Sequence, residues 1–233
     1  MISVLVPALN EEKYIENCLK SIQSQSCSEP YEVVVMDNGS EDDTRDIAEE
    51  FADRVIVEPN LELYELRNKG IEVANGEKIA MTDADCVVEK GWLGEARKGL
   101  SKADLVTGAI EPLEDSKFYR FSLWLFYDLF LTCSVNYFGF SNAIGGNCAF
   151  YRKKAIDIGG FKDIFPSDGN FGYEMSKEGE IFHNPNMVIE TSVRHFWDDS
   201  IFEIVKESAL SHIRLRRGVG KSVEESGYFD YER

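Results

Sequence analysis

The sequence predicts an α/β domain built on a mostly parallel sheet, and three observations carry that expectation. Short continuous apolar runs such as ISVLVP, YEVVVM and KIAMT read as strands buried on both faces. Between them, apolar residues recur at i, i+3, i+4 and i+7, the spacing of one helix face. Polar residues follow several of these runs at once, and ligands of such sheets bind outside the carboxyl ends of the strands.

Taken in order, Ile2–Pro7 is a strand closed by proline, and Tyr14, Ile15, Cys18, Leu19 and Ile22 mark the inner face of a helix. Tyr31–Met36 is a β-branched strand that ends in DNGSEDDT, a turn-rich stretch with several possible N-caps. Thr44, Ile47, Ala48 and Phe51 give the next helix, Arg54–Val57 a third strand, and Leu63, Leu66, Gly70, Ile71 and Ala74 another helix. Asn75-Gly76 is expected to close that helix in a left-handed conformation. Lys78–Thr82 is the fourth strand, Trp92–Leu100 a helix and Ala103–Ala109 a further strand.

The second half is less regular. Residues 118–140 hold ten aromatic residues, and Ala143–Phe150 (AIGGNCAF) is glycine-rich and leads into a short strand. Phe165–Gly179 carries acids around a helix, Met187–Phe196 reads as a strand, Ile201–Leu215 as an amphipathic helix, and the residues after Arg217 as a poorly ordered tail. Nothing in the composition marks a linker or a repeat, so one domain over residues 1–233 is expected.

Charge narrows the function. A net charge of −17 argues against a nucleic-acid partner, because phosphate backbones demand a basic face. A phosphate-bearing substrate would need local cations or a bound metal to offset the acidic field. Five cysteines without a Cys-x-x-Cys pair suit reduced thiols, and MISVLVPALNEE has no signal-peptide character, so a cytoplasmic protein is expected.

The motif MTDADC sets Asp83 and Asp85 two residues apart just past an apolar strand, where strand geometry would send both to one side. Two solvated carboxylates in a turn is one reading. A site for a hard divalent cation, Mn²⁺ or Mg²⁺, is the other, since such ions take carboxylates together with substrate phosphates. DADCV also fits the nucleophile loop of haloacid-dehalogenase-type phosphatases, although that loop normally follows the first strand of its fold.

Four motifs in order then resemble one family. VLVPALNEEKYIENCLKSI, VVVMDNGSEDDT, LRNKGIEVANGEKIAMTDAD and GGNCAFYRKKAIDIGGF look like the family-2 glycosyltransferases with a GT-A fold, a Rossmann-like nucleotide-diphospho-sugar transferase fold. The resemblance implies a nucleotide-sugar-binding half over 1–110, an acceptor-binding half over 111–217 and a tail over 218–233. It implies an inverting transfer from a nucleotide-diphosphate sugar to an acceptor hydroxyl or phosphate, dependent on a divalent cation. A non-catalytic nucleotide-sugar-binding module is the remaining alternative.

Position by position, Pro7, Ala8, Asn10 and Glu11 match the loop against the nucleotide base and ribose, Asp37 the acid at the base edge, and Arg67 a donor-binding arginine. Asp83 matches the acid that contacts ribose and Asp85 the principal metal ligand, with His195 near the place of a histidine that completes the metal shell in some members. Asp168 in SDGNFGYEMSKEG matches the catalytic base, with Ser167 in place of the family's glutamate and Glu174 in place of a common arginine. A helix cap is the competing reading of Asp168, and a packed, hydrogen-bonded side chain that of His195. The processive synthases' Gln-x-x-Arg-Trp motif is absent from the sequence.

Two features bear on the acceptor. Phe121–Phe138 is mostly apolar, but Asp128 near its centre would cost about 2.5–3.5 kcal/mol in a bilayer, so a simple span is rejected. A buried helix is one reading, and docking at the cytoplasmic face of the membrane on a lipid-linked acceptor is the other. Arg214, Arg216, Arg217 and Lys221 form a basic patch suited to a helix C-terminus, a diphosphate, a phosphorylated acceptor or an anionic lipid.

Overall fold

A computed structural model describes residues 1–113 and 144–191. Eight strands form one sheet in the order β3-β2-β1-β4-β7-β6-β8-β5. The first four strands are β1 (Ile2–Ala8), β2 (Tyr31–Asp37), β3 (Arg54–Val57) and β4 (Lys78–Thr82), all mutually parallel. Helices α1 (Ile15–Gln23), α2 (Thr44–Phe51) and α3 (Leu63–Val73) make the crossovers between them.

Alternate residues of these strands feed two cores, one on each face. Val4, Val6, Val33, Val35 and Ala80 pack with Ile15, Cys18, Leu19 and Ile22 of α1 and with Trp92, Leu93 and Ala96 of α4 (Trp92–Leu100). Leu5, Val34, Met36, Ile79 and Met81 pack with Leu66 and Ile71 of α3 on the opposite face. Strands buried on both faces explain why their sequences are continuous apolar runs rather than alternating ones.

The second half changes direction. β6 (Leu105–Pro112) runs parallel to β8 (Ile181–Thr191), but β7 (Asn147–Tyr151) is antiparallel to both β4 and β6. Two helices, α5 (Arg152–Asp157) and α6 (Ser167–Glu178), follow β7, and Phe171 and Met175 of α6 enter the second core. Because β7 starts where β4 ends, with Thr82 opposite Asn147, the residues just before β7 arrive at the same edge as the carboxyl ends of β1, β2 and β4.

Several local expectations need correction. Helix α3 ends at Val73, and neither Asn75 nor Gly76 is left-handed. Its last carbonyls are taken by arginines instead: Arg152 donates to Ile71 and Glu72, each at 2.7 Å, and Arg54 to Val73 at 2.8 Å. Gly76 is required for another reason, since a Cβ there would stand 2.6 Å from the Ser3 amide. A short strand, β5 (Cys86–Val88), follows the Asp83–Asp85 turn and pairs with β8. β8 itself begins at Ile181 rather than Met187, with an irregularity opposite Gly108/Ala109 where Pro185 and Asn186 lie exposed. The expected end of that strand at His195, the aromatic segment 118–140 and the helix over 201–215 lie outside the described residues.

Candidate active site

Backbone ends and turns, not the strands themselves, build the site. On the β1 and β2 side, two loops are tied together residue by residue. Asn10, held at φ 55°, receives the Glu41 amide on its Oδ1 at 2.9 Å, while its own amide donates to Ser40 Oγ at 2.9 Å. The Glu11 amide donates to Thr44 Oγ1 at 2.6 Å. Asp37 is buried at the end of β2 and accepts both the amide and the hydroxyl of Ser40. Pro7 and Ala8 pair with Met36 and Asp37 across the sheet, so the five donor-side positions expected from sequence, from Pro7 to Asp37, share one edge.

As expected, Asp83 and Asp85 fall just past the end of β4. They sit in the turn between β4 and β5, closed by the Cys86 amide on the Asp83 carbonyl at 3.1 Å, so the turn and not strand alternation sets their directions. Asp83 is partly exposed and accepts from Arg67 Nη2 at 3.2 Å, whereas Asp85 is buried. Two thiols support the turn, Cys18 on the Asp83 carbonyl and Cys86 on Asp85 Oδ1, each at 3.5 Å. Burial first, and then the charges of Asp83 and Asp85, push both thiols well above the ordinary cysteine range. They therefore stay protonated and act as donors.

Arg67 is the hub. It leaves the buried face of α3 with only 7% of its surface exposed. Its guanidinium lies 5.6 Å from the centre of the Phe161 ring, and Phe161 in turn stacks on Phe171 of α6 at 4.2 Å. Burial alone would lower its pKa, but the Asp83 and Asp168 carboxylates outweigh that and raise it. Its Nε–H has no hydrogen-bond partner among the described residues.

Asp168 is the second residue of α6, not its N-cap, which is Pro166. Its Oδ2 accepts the Gly145 amide at 3.1 Å and its Oδ1 the Gly169 amide at 2.8 Å. Gly145 and Gly146 form the middle of a turn closed by the Asn147 amide on the Ile144 carbonyl at 2.9 Å. A Cβ on Gly145 would lie 2.4 Å from Arg67 Nη1, and one on Gly146 would lie 2.3 Å from Asp83 Oδ2. Only bare backbone fits between these groups.

The structure thus brings Asp83, Arg67 and Asp168 together around Gly145–Gly146, with Asp85 on the same turn as Asp83. His195 lies outside the described residues. Among the described residues no three His, Cys, Asp or Glu side chains converge on a common point. Of the two departures at α6, Ser167 has a buried hydroxyl without a partner among the described residues, and Glu174 pairs with Lys177 at 2.9 Å. Sequence reasoning missed the structural part played by Gly145, Gly146 and Phe161. The signal present was the glycine pair before a short strand, a mark of close backbone approach. Asn147 beside them belongs to the scaffold: it accepts from Trp92 Nε1 and donates to the Ala109 and Met187 carbonyls.

Comparison with known proteins agrees with this architecture. The family model for glycosyl transferase family 2 matches residues 3–159. Glycosyltransferase AglE of Haloferax volcanii is 36% identical over 119 residues, which are 47% of this chain and 39% of that protein. A PGL/p-HBAD biosynthesis glycosyltransferase of Mycobacterium tuberculosis is 35% identical over 91 residues, 36% of this chain and 35% of that protein. The matched part therefore spans well under half the length of these curated relatives. Among solved structures, mannosyltransferase PcManGT from Pyrobaculum calidifontis, in complex with GDP-Man and Mn²⁺, superposes with a TM-score of 0.75 at 22% identity, covering 98% of this chain and 66% of that one. Staphylococcus aureus TarS in complex with UDP-GlcNAc gives a TM-score of 0.65 at 21% identity, covering 83% of this chain and 58% of that one. The GT-A fold expected from the sequence is the fold observed. The phosphatase reading of DADCV is set aside, because its loop follows the fourth strand of the chain and the family match points elsewhere.

Proposed function

The chain belongs to glycosyl transferase family 2, and on that premise we propose that it moves a sugar from a nucleotide-diphosphate donor to an acceptor hydroxyl with inversion. One observation carries the reading: two acids, Asp83 and Asp168, flank a side-chain-free turn at the carboxyl edge of the sheet, where donor and acceptor would meet. The donor would lie along Pro7, Ala8, Asn10, Glu11 and Asp37, with Asp83 toward its ribose. Arg67 serves the donor side through its bond to Asp83.

The donor set fits a divalent cation. Asp83 and Asp85 offer hard carboxylate oxygens, and Mn²⁺ or Mg²⁺ is commonly held by one or two carboxylates plus substrate phosphates. Asp85, with His195, would hold it. Bound there, the ion would supply positive charge to the departing diphosphate.

The protein's own share is the acceptor step. Asp168 takes the proton of the acceptor hydroxyl as that oxygen attacks the anomeric carbon, and the bond from that carbon to the diphosphate oxygen breaks on the opposite side. Two amides fix the Asp168 carboxylate, yet each of its oxygens keeps a lone pair for the incoming hydroxyl. Asp168→Asn keeps the shape and removes the base, so transfer should fall by about 10²–10⁴-fold with donor affinity preserved.

The test is a thermal-shift screen of UDP-, GDP- and dTDP-sugars with and without Mn²⁺, followed by a transfer or donor-hydrolysis assay with the best binder. Metal-dependent stabilisation with turnover supports the proposal. Stabilisation without turnover on any acceptor makes the chain a nucleotide-sugar-binding module, and no stabilisation refutes donor binding.

A lipid-linked acceptor at the cytoplasmic leaflet is the second part of the proposal, resting on the aromatic segment over 118–140. No helix among the described residues is long and apolar enough to cross a membrane. Liposome flotation of the protein against its Trp124→Ser, Phe126→Ser variant tests it, and a wild type that never floats refutes it.

A further inference from the structure

The resemblance assigns Arg67 to the donor, but its surroundings leave little room for a ligand. One part of the guanidinium is bonded to Asp83, the Phe161 ring stands beside it, and the Gly145 backbone lies so close that a Cβ there would come within 2.6 Å of Cζ. The same turn residue, Gly145, donates its amide to Asp168. The next residue of α3, Asn68, brackets the Phe161 backbone with two 2.8 Å hydrogen bonds, and Phe161 stacks on Phe171 three residues beyond Asp168. Arg67 and Asn68 therefore fasten, from one helix, both the donor-side acid and the segment that carries the acceptor-side acid.

We propose that Arg67 is a positioning residue that couples Asp83 to Asp168 through the Gly145–Gly146 turn, and that it acts on transfer through those two acids and not by touching the donor. This rests on the transfer reading above. Its physical basis is a buried, permanently charged fork with a fixed plane, which sets the distance between two like-charged carboxylates and offsets their repulsion. The opposing possibility is that the spare Nε–H donates to a phosphate oxygen of the nucleotide sugar.

Double-mutant cycles separate the two. Arg67→Met should lower kcat at saturating donor by about 10²-fold, the scale of a 1 Å misplacement of reacting groups. In an Asp168→Asn background it should lower kcat no further, and in an Asp83→Asn background it should weaken donor binding no further by calorimetry. Arg67→Lys, which keeps the charge and loses the fork, should recover part of kcat, and it runs the same cycles if Arg67→Met fails to fold. Additive losses in either background overturn the proposal, and a donor affinity that falls again on Asp83→Asn makes Arg67 a donor ligand.

A readout without any sugar keeps this distinct from the function itself. Arg67→Met should speed hydrogen exchange at the Gly145 amide by about ten-fold, the worth of one lost hydrogen bond, while amides of β1 and β2 keep their protection. If the wild type binds no nucleotide sugar the transfer reading fails, and the Gly145 amide then decides the positioning claim alone: unchanged exchange overturns it.

Discussion

Replacing Gly145 by alanine isolates the turn from everything around it. Neither Gly145 nor Gly146 has a positive φ, so alanine meets no left-handed backbone penalty and its cost in the folded state is steric. The added Cβ would stand 2.4 Å from Arg67 Nη1, where ordinary contact begins near 3.4 Å, so one of the two must move by about 1 Å. The guanidinium is the far end of a long side chain, but it cannot swing away at small cost. It is buried, bonded to Asp83 and packed beside Phe161. The displacement therefore passes into Asp83 or, through the Gly145 amide, into Asp168. A 1 Å shift of a positioned group costs about 10²-fold in rate, so kcat should fall on that scale in a transfer assay. Gly94→Ala is the matched control: a Cβ there meets nothing within 4 Å inside α4, and it should stabilise the fold by about 0.4–1 kcal/mol without touching transfer. Equal kcat for wild type and Gly145→Ala, with both folded by thermal melting, would refute the claim that this turn sets the geometry of the two acids.

Asp85→Ala should abolish Mn²⁺-dependent donor binding measured by calorimetry, and retained metal dependence would remove Asp85 from the metal site. Glu32 is partly buried, which alone would raise its carboxyl pKa, but Ser3, two bonds from Asn75, and Arg54 outweigh that and hold it below the ordinary range. Its contribution is thus present above the unfolded-state pKa and lost as pH falls through the lower folded value. Glu32→Gln should cost about 2 kcal/mol in urea unfolding at pH 7 and almost nothing in strong acid, and a pH-independent difference would contradict this. Cys148, fully buried, has its thiol pushed up to about 12 by burial, with Asp168 and Asp83 adding to the shift against Arg67. Iodoacetamide at pH 8 followed by mass spectrometry should label Cys27 in the native state and Cys18, Cys86 and Cys148 only after denaturation.

Much of this was legible because the signals are local. Apolar runs located β1, β2 and β4, and the acids that follow β2 and β4 located the edge. What could not be read depends on partners far away in the chain. The end of α3 is set by Arg152, some 80 residues on, and by Arg54, so no capping residue near Asn75 was needed. The start of β8 was hidden by His183 and Asn184, whose polar side chains interrupt the apolar pattern before Met187. In the fold His183 meets Thr107 at 3.0 Å and Asn184 meets Glu95 at 2.9 Å, so both can be buried. β5 was missed because three residues carry too little periodicity to separate a strand from a turn. Arg67 shows the same limit at the site. The helix that carries it was evident, but its contact with Gly145 exists only once β7 has paired with β4.

That pairing is the step on which the proposed chemistry depends. The four parallel strands alone already place Asp37, Asp83 and Asp85 on one edge, yet they supply neither Asp168 nor the turn that binds it. A strand added parallel to β4 would start at the opposite edge of the sheet and carry Gly145–Gly146 away from Asp83. Because β7 runs antiparallel, its first residues meet the last residues of β4, and Asn147 locks them there through Trp92, Ala109 and Met187. The turn before it then lies between Arg67 and Asp168. The saturated, buried Asn147 side chain thus explains a polar residue in the middle of an apolar segment. It fixes the reversed strand in register, and the register fixes where the Gly145–Gly146 turn lies between Asp83 and Asp168.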